Sequence, residues 1–176
     1  SMADLKIIPV ETGVGYRGIF TNFKVFESYA WMHYIYGSRN QEWASWYDTV
    51  IPNCYDPDEF TLGDGSGGYL LMLARMIEAK GIRIAIDIAT RSGLELLIAG
   101  QGKLSDFPTG SANVRHLGSV GPERRRELLM GARALLAPTY YVGPFEGVNV
   151  EAQLSGCPVI TTDWGAFNET VEDGYT

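Results

Sequence analysis

The fold is decided by residues 69–99, which read YLLMLARMIEAKGIRIAIDIATRSGLELLIA. Two largely apolar runs, residues 69–74 and residues 94–99 with one glutamate at position 95, enclose a stretch in which Ile82 and Ile86 belong to a series of apolar residues at three- and four-residue steps. Continuous apolar runs are typical of strands buried on both faces, and the intervening spacing is typical of an amphipathic helix. The stretch therefore predicts a strand, a covering helix and a second strand parallel to the first.

The same alternation continues from Val50 to the end of the sequence. Strands are predicted at residues 47–51, 69–74, 94–99, 114–117, 134–137 and 158–161. A second helix is predicted to begin near Gly121, because Pro122 and Glu123 suit a first helical turn. The predicted fold is α/β, a Rossmann-like open parallel sheet with helices on both faces.

Residues 1–49 have a different texture and are predicted to be an N-terminal segment that leads into the domain at residues 50–176. Residues 23–36 contain six aromatic side chains, which predict a helix packed into a hydrophobic interface rather than a ligand site. Residues 63–68 are rich in glycine and predict a loose surface connection.

Two glycine patterns match the spacing of a dinucleotide fingerprint. The pattern at residues 63–68 precedes a predicted strand, whereas the fingerprint must follow one, so we discount it. Gly13, Gly15 and Gly18 do follow a predicted strand, residues 5–10, but no helix opening comes next, and a plain turn is favoured over phosphate contact. An unrelated nicotinamide-dependent oxidoreductase is therefore the weaker alternative.

Composition restricts the classes of partner. A net charge of −7 predicts that nucleic acid is repelled unless basic residues are concentrated locally, but leaves room for a small anion held by a few basic side chains. No run approaches the roughly 20 apolar residues of a membrane span. Cys54 and Cys157 are predicted to be free thiols in a reducing compartment, so a cytoplasmic location is expected. Neither these thiols nor His33 and His116 have metal-ligand spacing, and we expect no metal and no cofactor.

Short motifs recur along the chain from Val50 onward. They are VIPN (50–53), DPDEF (56–60), LAR (73–75), AKG (79–81), LLIAG (96–100), LG (117–118), APT (137–139), EA (151–152), GCPVI (156–160) and ETV (169–171). In order and approximate spacing they resemble the C-terminal, nucleotide-sugar-binding domain of family 4 (group 1) retaining glycosyltransferases of the GT-B fold. The resemblance implies that the donor substrate is a nucleoside diphosphate-sugar and that the sugar is transferred with retention.

The resemblance also implies roles for individual residues. Arg75 and Lys80 correspond to the basic pair that binds the donor diphosphate, whose negative charge grows as the sugar–oxygen bond breaks. Glu151 corresponds to an acid that binds the ribose hydroxyls, and we expect it near the start of a short helix. The base is expected against the loop containing Gly118 and Val120, mostly through backbone groups.

One family feature is altered. The family has two glutamates separated by seven residues, and the first would fall at Gly143, where no carboxylate exists. The expected Glu-Pro-Phe-Gly-Gly is replaced by Gly143-Pro-Phe145-Glu146-Gly147. The resemblance assigns the catalytic position to Gly143, with Glu146 as the candidate substitute, and backbone contacts to the donor sugar to Phe145, Gly147 and Val148.

The resemblance further implies a two-domain enzyme. Residues 1–49 are too short to build the N-terminal acceptor domain, and the family continues beyond Thr176, so the chain is expected to be a fragment that is inactive alone and self-associates through exposed apolar surface. The alternative is a catalytically weak or inactive nucleotide-binding or interaction module. Donor hydrolysis distinguishes it from an enzyme.

Overall fold

The computed structural model describes residues 7–176, which fall into two compact units. One unit takes the chain up to Cys54 together with Val142–Phe145, and the other comprises Tyr55–Tyr141 and Glu146–Thr176. The domain division predicted after residue 49 stays a prediction. None of the helices in the described residues is both long enough and apolar enough to cross a membrane.

The first unit has a small parallel sheet. Its strands are β1 (Val10–Val14), β2 (Phe23–Phe26) and β3 (Thr49–Val50), in that spatial order, and helix α1 spans Tyr29–Ser38. The buried hydrophobic side chains of this unit are Val14, Ile19, Phe26, Trp31, Ile35 and Tyr36. They form one core between the sheet and the helix.

The prediction of one aromatic helix over residues 23–36 is wrong. Its first part is β2, in which Lys24 and Phe26 are buried and alternate with half-buried neighbours. The helix begins only after Ser28, whose hydroxyl accepts a hydrogen bond from the backbone N–H of Trp31 at 3.0 Å. A serine cap of this kind sets a helix start that aromatic content does not reveal. Packing of the aromatic side chains is confirmed for Trp31, which is buried.

The strand predicted at residues 5–10 is displaced in the structure. Its first two residues lie outside the described residues, and β1 begins at Val10. Gly13 therefore lies inside a strand, and the next element after Gly15 and Gly18 is another strand, β2, not a helix. The fingerprint geometry of a strand, a glycine turn and a helix is absent here.

The second unit contains a five-stranded, all-parallel sheet. The strands are β4 (Tyr69–Leu73), β5 (Leu96–Ala99), β6 (Val114–His116), β7 (Ala132–Ala137) and β8 (Val159–Thr161), in the spatial order β6-β5-β4-β7-β8. Five predicted strands are thus confirmed, with ends shifted by one or two residues. The chain moves outward from β4 to β6 and then returns to β7 on the other side of β4. Open sheets bind ligands at such a reversal, outside the carboxyl ends of the strands.

Helices cover both faces of this sheet, as predicted. They are α2 (Ile82–Ser92), α3 (Pro122–Gly131) and α4 (Gly147–Leu154), and α3 begins directly after Gly121 as expected. One core cluster joins α2 to one face, with Ile82 and Ile86 buried. A second cluster joins α3 and α4 to the other face. The Rossmann-like architecture is therefore confirmed.

The glycine-rich segment at residues 63–68 is not the loose connection that was predicted. The backbone N–H of Gly65 donates to the carbonyl of Met130 at 3.1 Å, and that of Gly67 donates to Gly131 at 3.0 Å. A Cβ on Gly63 would lie 2.0 Å from the Met130 carbonyl oxygen. The glycines allow the segment to pack backbone to backbone against the end of α3.

Candidate functional site

A cavity of about 230 Å³ lies at the carboxyl ends of β4 and β5. It is lined by Leu73, Arg75, Ala99, Gly100, Gln101, Ser119, Val120, Arg125 and Val148. Its walls come from the two strand ends, the loop before α3, and residues of α3 and α4. The cavity therefore lies at the carboxyl edge of the sheet, where open α/β sheets bind ligands, although it borders β4 and β5 and not the reversal between β4 and β7. It brings Arg75 together with Val120 and Val148.

A larger cavity, about 620 Å³, lies against the edge strand β8. Among the described residues that line it, the charged side chains are those of Asp163 and Asp173, and none is a lysine or arginine. Such a lining repels an anionic ligand. We therefore take the smaller, basic cavity as the candidate site.

Gly100, directly after β5, packs against the backbone from which Arg75 leaves the sheet. Gly100 has a φ of +152°, and a Cβ on it would lie 1.9 Å from the carbonyl oxygen of Ala74. The backbone N–H of Met76 donates to the carbonyl of Gln101 at 2.7 Å. The sequence identified Gly100 as part of a motif but not this close contact with the backbone on either side of Arg75.

Glu151 lies in the middle of α4, so the expectation that it stands at a helix start is wrong. Its carboxylate is 8% exposed and forms an ion pair with Arg125, with 2.8 Å between Oε2 and Nε. Oε2 has no partner with hydrogen-bond geometry among the described residues, so the pair is held by charge alone. Burial raises the pKa of Glu151, and the positive charges of Arg125 and Arg126 oppose that rise.

Arg125 is a site residue that sequence reasoning missed. It lines the cavity and neutralises the only acid expected to bind ribose. The sequence offers only a run of three arginines, residues 124–126, on a helix whose polar face was expected in water. Which of the three turns toward the sheet edge depends on the helix register.

Lys80 does not line the cavity with Arg75, and it contacts Glu146 instead. Its Nζ lies 2.5 Å from Oε1 of Glu146, and each side chain is 12% exposed. The same Nζ lies 5.1 Å from the centroid of the Tyr141 ring. Lys80 ends a short 3-10 helix, Glu78–Lys80, and the next residue, Gly81, packs so closely on Pro138 that a Cβ would lie 2.1 Å from its carbonyl oxygen.

Four of the remaining predicted residues lie in the second unit: Gly147 and Val148 at the start of α4, and Gly118 and Val120 between β6 and α3. Gly147 opens α4, and a Cβ on it would lie 2.0 Å from the hydroxyl oxygen of Tyr55. Gly118 accepts a hydrogen bond from the backbone N–H of Gly100 at 2.8 Å. Gly143, which is buried, and Phe145 lie in the segment that groups with the first unit. Within the described residues, no three His, Cys, Asp or Glu side chains are placed to hold a metal ion.

Comparison with known proteins places these observations in a family. The sequence model described as glycosyl transferases group 1 matches residues 67–176. Glycogen synthase from Mycobacterium tuberculosis is 31% identical over 119 residues, which are 61% of this chain and 28% of that protein. Phosphatidyl-myo-inositol mannosyltransferase from the same organism is 29% identical over 140 residues, 70% of this chain and 37% of that protein. The chain thus spans about a third of the length of these curated relatives.

Solved glycosyltransferases have the same fold. AviGT4, a glycosyltransferase involved in avilamycin A biosynthesis, has a TM-score of 0.68 and 25% identity over 83% of this chain and 46% of its own. Anabaena HepE, solved with UDP-glucose, has a TM-score of 0.72 over 88% of this chain and 48% of its own, and at 19% identity it shows the fold alone. Because the family model matches more than half of the residues, this chain belongs to the group 1 glycosyl transferases.

Proposed function

We propose that this chain binds the nucleoside diphosphate part of a nucleotide sugar at the carboxyl edge of its five-stranded sheet. One observation carries the proposal: a basic cavity at the ends of β4 and β5, with Arg75 in its wall and the buried Glu151 held beside it by Arg125. Cations suit a diphosphate, and a carboxylate suits the two hydroxyls of a ribose.

In this proposal the diphosphate, the ribose and the base of the donor are each bound by different residues. Arg75 and Lys80 bind the diphosphate, Glu151 accepts hydrogen bonds from the ribose, and the base lies against the loop at Gly118 and Val120. Arg75 lies two residues beyond the end of β4, whereas Lys80 ends the next short helix. Both are therefore held by backbone that is packed against the sheet edge, which reduces the entropy lost when the ligand is bound.

The proposed reaction is sugar transfer with retention, in combination with a separate acceptor domain. The bond between the anomeric carbon and the diphosphate oxygen breaks, and the acceptor oxygen bonds to the same face of that carbon. Because the acceptor attacks the face from which the diphosphate departs, retention requires no protein nucleophile, and the acceptor proton passes to the departing diphosphate. The arginine and lysine offset the charge that develops on the leaving group, a role that a divalent ion plays in other phosphoryl sites.

The similar proteins guide the choice of donor probe. The curated relatives are named as a glycogen synthase and a mannosyltransferase, and HepE was solved with UDP-glucose. The first probe is therefore UDP, followed by GDP and ADP and by their glucose and mannose conjugates.

The two free cysteines support the proposed cytoplasmic location, since thiols persist in reducing compartments.

Calorimetric titration of the chain tests the donor site. We expect one of the three diphosphates to bind saturably, and Arg75→Ala and Glu151→Gln each to weaken it by about tenfold or more, because charged hydrogen bonds are worth about 1.5–3 kcal/mol. Arg91→Ala is the matched control, because Arg91 pairs with Asp87 on the exposed face of α2. A folded chain that binds no diphosphate, or that prefers NAD, would exclude the donor site.

The second candidate is a nucleotide-binding module without catalysis. It is favoured by Gly143, a buried residue with no side chain at the position where the family has its first acid. Donor hydrolysis separates the candidates: an enzyme slowly releases free sugar from the bound donor, whereas a binding module returns the donor intact.

A further inference from the structure

We propose that Glu146 is an internal competitor of the donor diphosphate, which must displace the Glu146 carboxylate from Lys80 before the donor is fully bound. This inference rests on the proposed function, because it takes Lys80 as a diphosphate-binding residue. It adds a determinant of donor affinity that the family pattern, with a small residue where Glu146 stands, does not have.

The contact between the two side chains is direct and protected from solvent. Nζ of Lys80 and Oε1 of Glu146 are 2.5 Å apart, and the side chains are each only 12% exposed. Ion pairs at exposed positions are weak because water screens them, but removal of one partner from a largely buried pair leaves the other charge uncompensated. Lys80 therefore requires an anion beside it whether or not the donor is present.

Other nearby groups do not replace Glu146 as that anion. Glu78, on the same 3-10 helix, pairs with Arg83 at 2.9 Å. Tyr141 offers the face of its ring to Lys80 at 5.1 Å, which is an attraction to a π-system and not a full negative charge. Among the described residues the site thus has one largely buried cation, Lys80, and two anions can satisfy it, the Glu146 carboxylate and a diphosphate.

The position of Glu146 makes the exchange possible. It is the residue immediately before α4, and it supplies no side-chain hydrogen bond to the first turn of that helix. When a diphosphate binds Lys80, the Glu146 carboxylate remains beside the positive N-terminal end of the α4 dipole. This position lowers the free energy needed to separate the carboxylate from Lys80. Displacement then exchanges one ion pair of Lys80 for another and leaves the Glu146 carboxylate at the helix N-terminus.

If UDP is the diphosphate that binds, the test compares the affinities of the 176-residue chain for UDP and for uridine. The variant Glu146→Gln keeps the shape of the side chain and removes its charge. We expect it to bind UDP about tenfold more tightly than the unaltered chain, the lower range of coupling between close charge pairs. Uridine affinity should not change, because uridine has no diphosphate. If another diphosphate binds, its own nucleoside replaces uridine.

Two further variants show whether the effect passes through Lys80. Glu95→Gln is the charge-matched control, because it removes one negative charge from an ion pair with Arg115 elsewhere in the same unit. Lys80→Met should weaken UDP binding, and Glu146→Gln added to it should bring no further gain. Glu146→Gly serves as the second variant if the glutamine variant does not fold.

The outcomes separate the two proposals. If the chain binds UDP but Glu146→Gln binds it equally or more weakly, Glu146 is not a competitor and the donor site stands. If Glu95→Gln strengthens UDP binding as much as Glu146→Gln, the effect is general charge and the competitor proposal fails. If no variant binds any nucleoside diphosphate, the proposed function fails and the competitor falls with it.

Discussion

Substitution of Gly100 by alanine should destabilise the second unit severely, because no room exists for a side chain. The new Cβ would lie 1.9 Å from the Ala74 carbonyl oxygen, whereas ordinary contact begins at 3.4 Å, so backbone must move by about 1.5 Å. Overpacking of this kind costs about 1–3 kcal/mol. The φ of +152° adds about 1–3 kcal/mol for any residue other than glycine. The sum is about 2–6 kcal/mol.

Gly93→Ala is the matched control, because Gly93 also has a positive φ, +69°, but no atom of the described residues lies within 4 Å of its added Cβ. Its free energy of unfolding should fall only by the cost of the left-handed conformation for alanine, about 1–2 kcal/mol. Urea unfolding followed by tryptophan fluorescence gives the free energy of unfolding of each variant. If Gly100→Ala is no less stable than Gly93→Ala, the loop after β5 is not held against the backbone around Arg75, and that account of the site is refuted.

Three further outcomes test the packing and the charges of the same unit. Burial raises the pKa of the Cys157 thiol to about 11, so a thiol reagent should label only Cys54 in the folded chain and both thiols after unfolding. Leu135→Ala should lower the free energy of unfolding by about 2–5 kcal/mol, because that side chain is fully buried in β7. Arg125→Gln removes a charge that opposes the raised pKa of Glu151, so the pKa should rise further. A carboxyl group whose pKa is raised in the folded state lowers the free energy of unfolding as the pH rises through that pKa. In urea unfolding, Arg125→Gln should therefore fall further below the unaltered chain at pH 8 than at pH 5. An equal deficit at both values would mean that the two charges are not coupled.

The second unit was predictable from sequence because its strands are buried on both faces. A run such as residues 96–99 has no polar alternative to a central strand, and the intervening apolar spacing specifies a covering helix. The small sheet of the first unit was predicted only in part: β3 falls within the strand predicted at residues 47–51, β1 overlaps the one predicted at residues 5–10 only at Val10, and β2 was not predicted. In residues 23–26 the burial alternates and the strand is short, so the aromatic side chains of this segment predict a helix where the structure has a strand.

The site was predicted less completely than the fold. The motif containing Arg75 follows a strand and reaches the sheet edge as expected, because every carboxyl end of a parallel sheet lies on that edge. The ion pairs there could not be read from the sequence. Arg125 and Glu151 are 26 positions apart, and Lys80 and Glu146 are 66 positions apart, so the pairing depends on how helices and loops close in space.

The relocated acid at Glu146 has a consequence for charge in the proposed donor site. A pattern with glycine at that position leaves Lys80 open to the diphosphate, whereas here Lys80 is already paired, and Arg125 is paired with Glu151. Of Arg75, Lys80 and Arg125, only Arg75 forms no ion pair among the described residues. Donor affinity should therefore depend less on the number of basic residues than on the free energy needed to move one carboxylate away from Lys80.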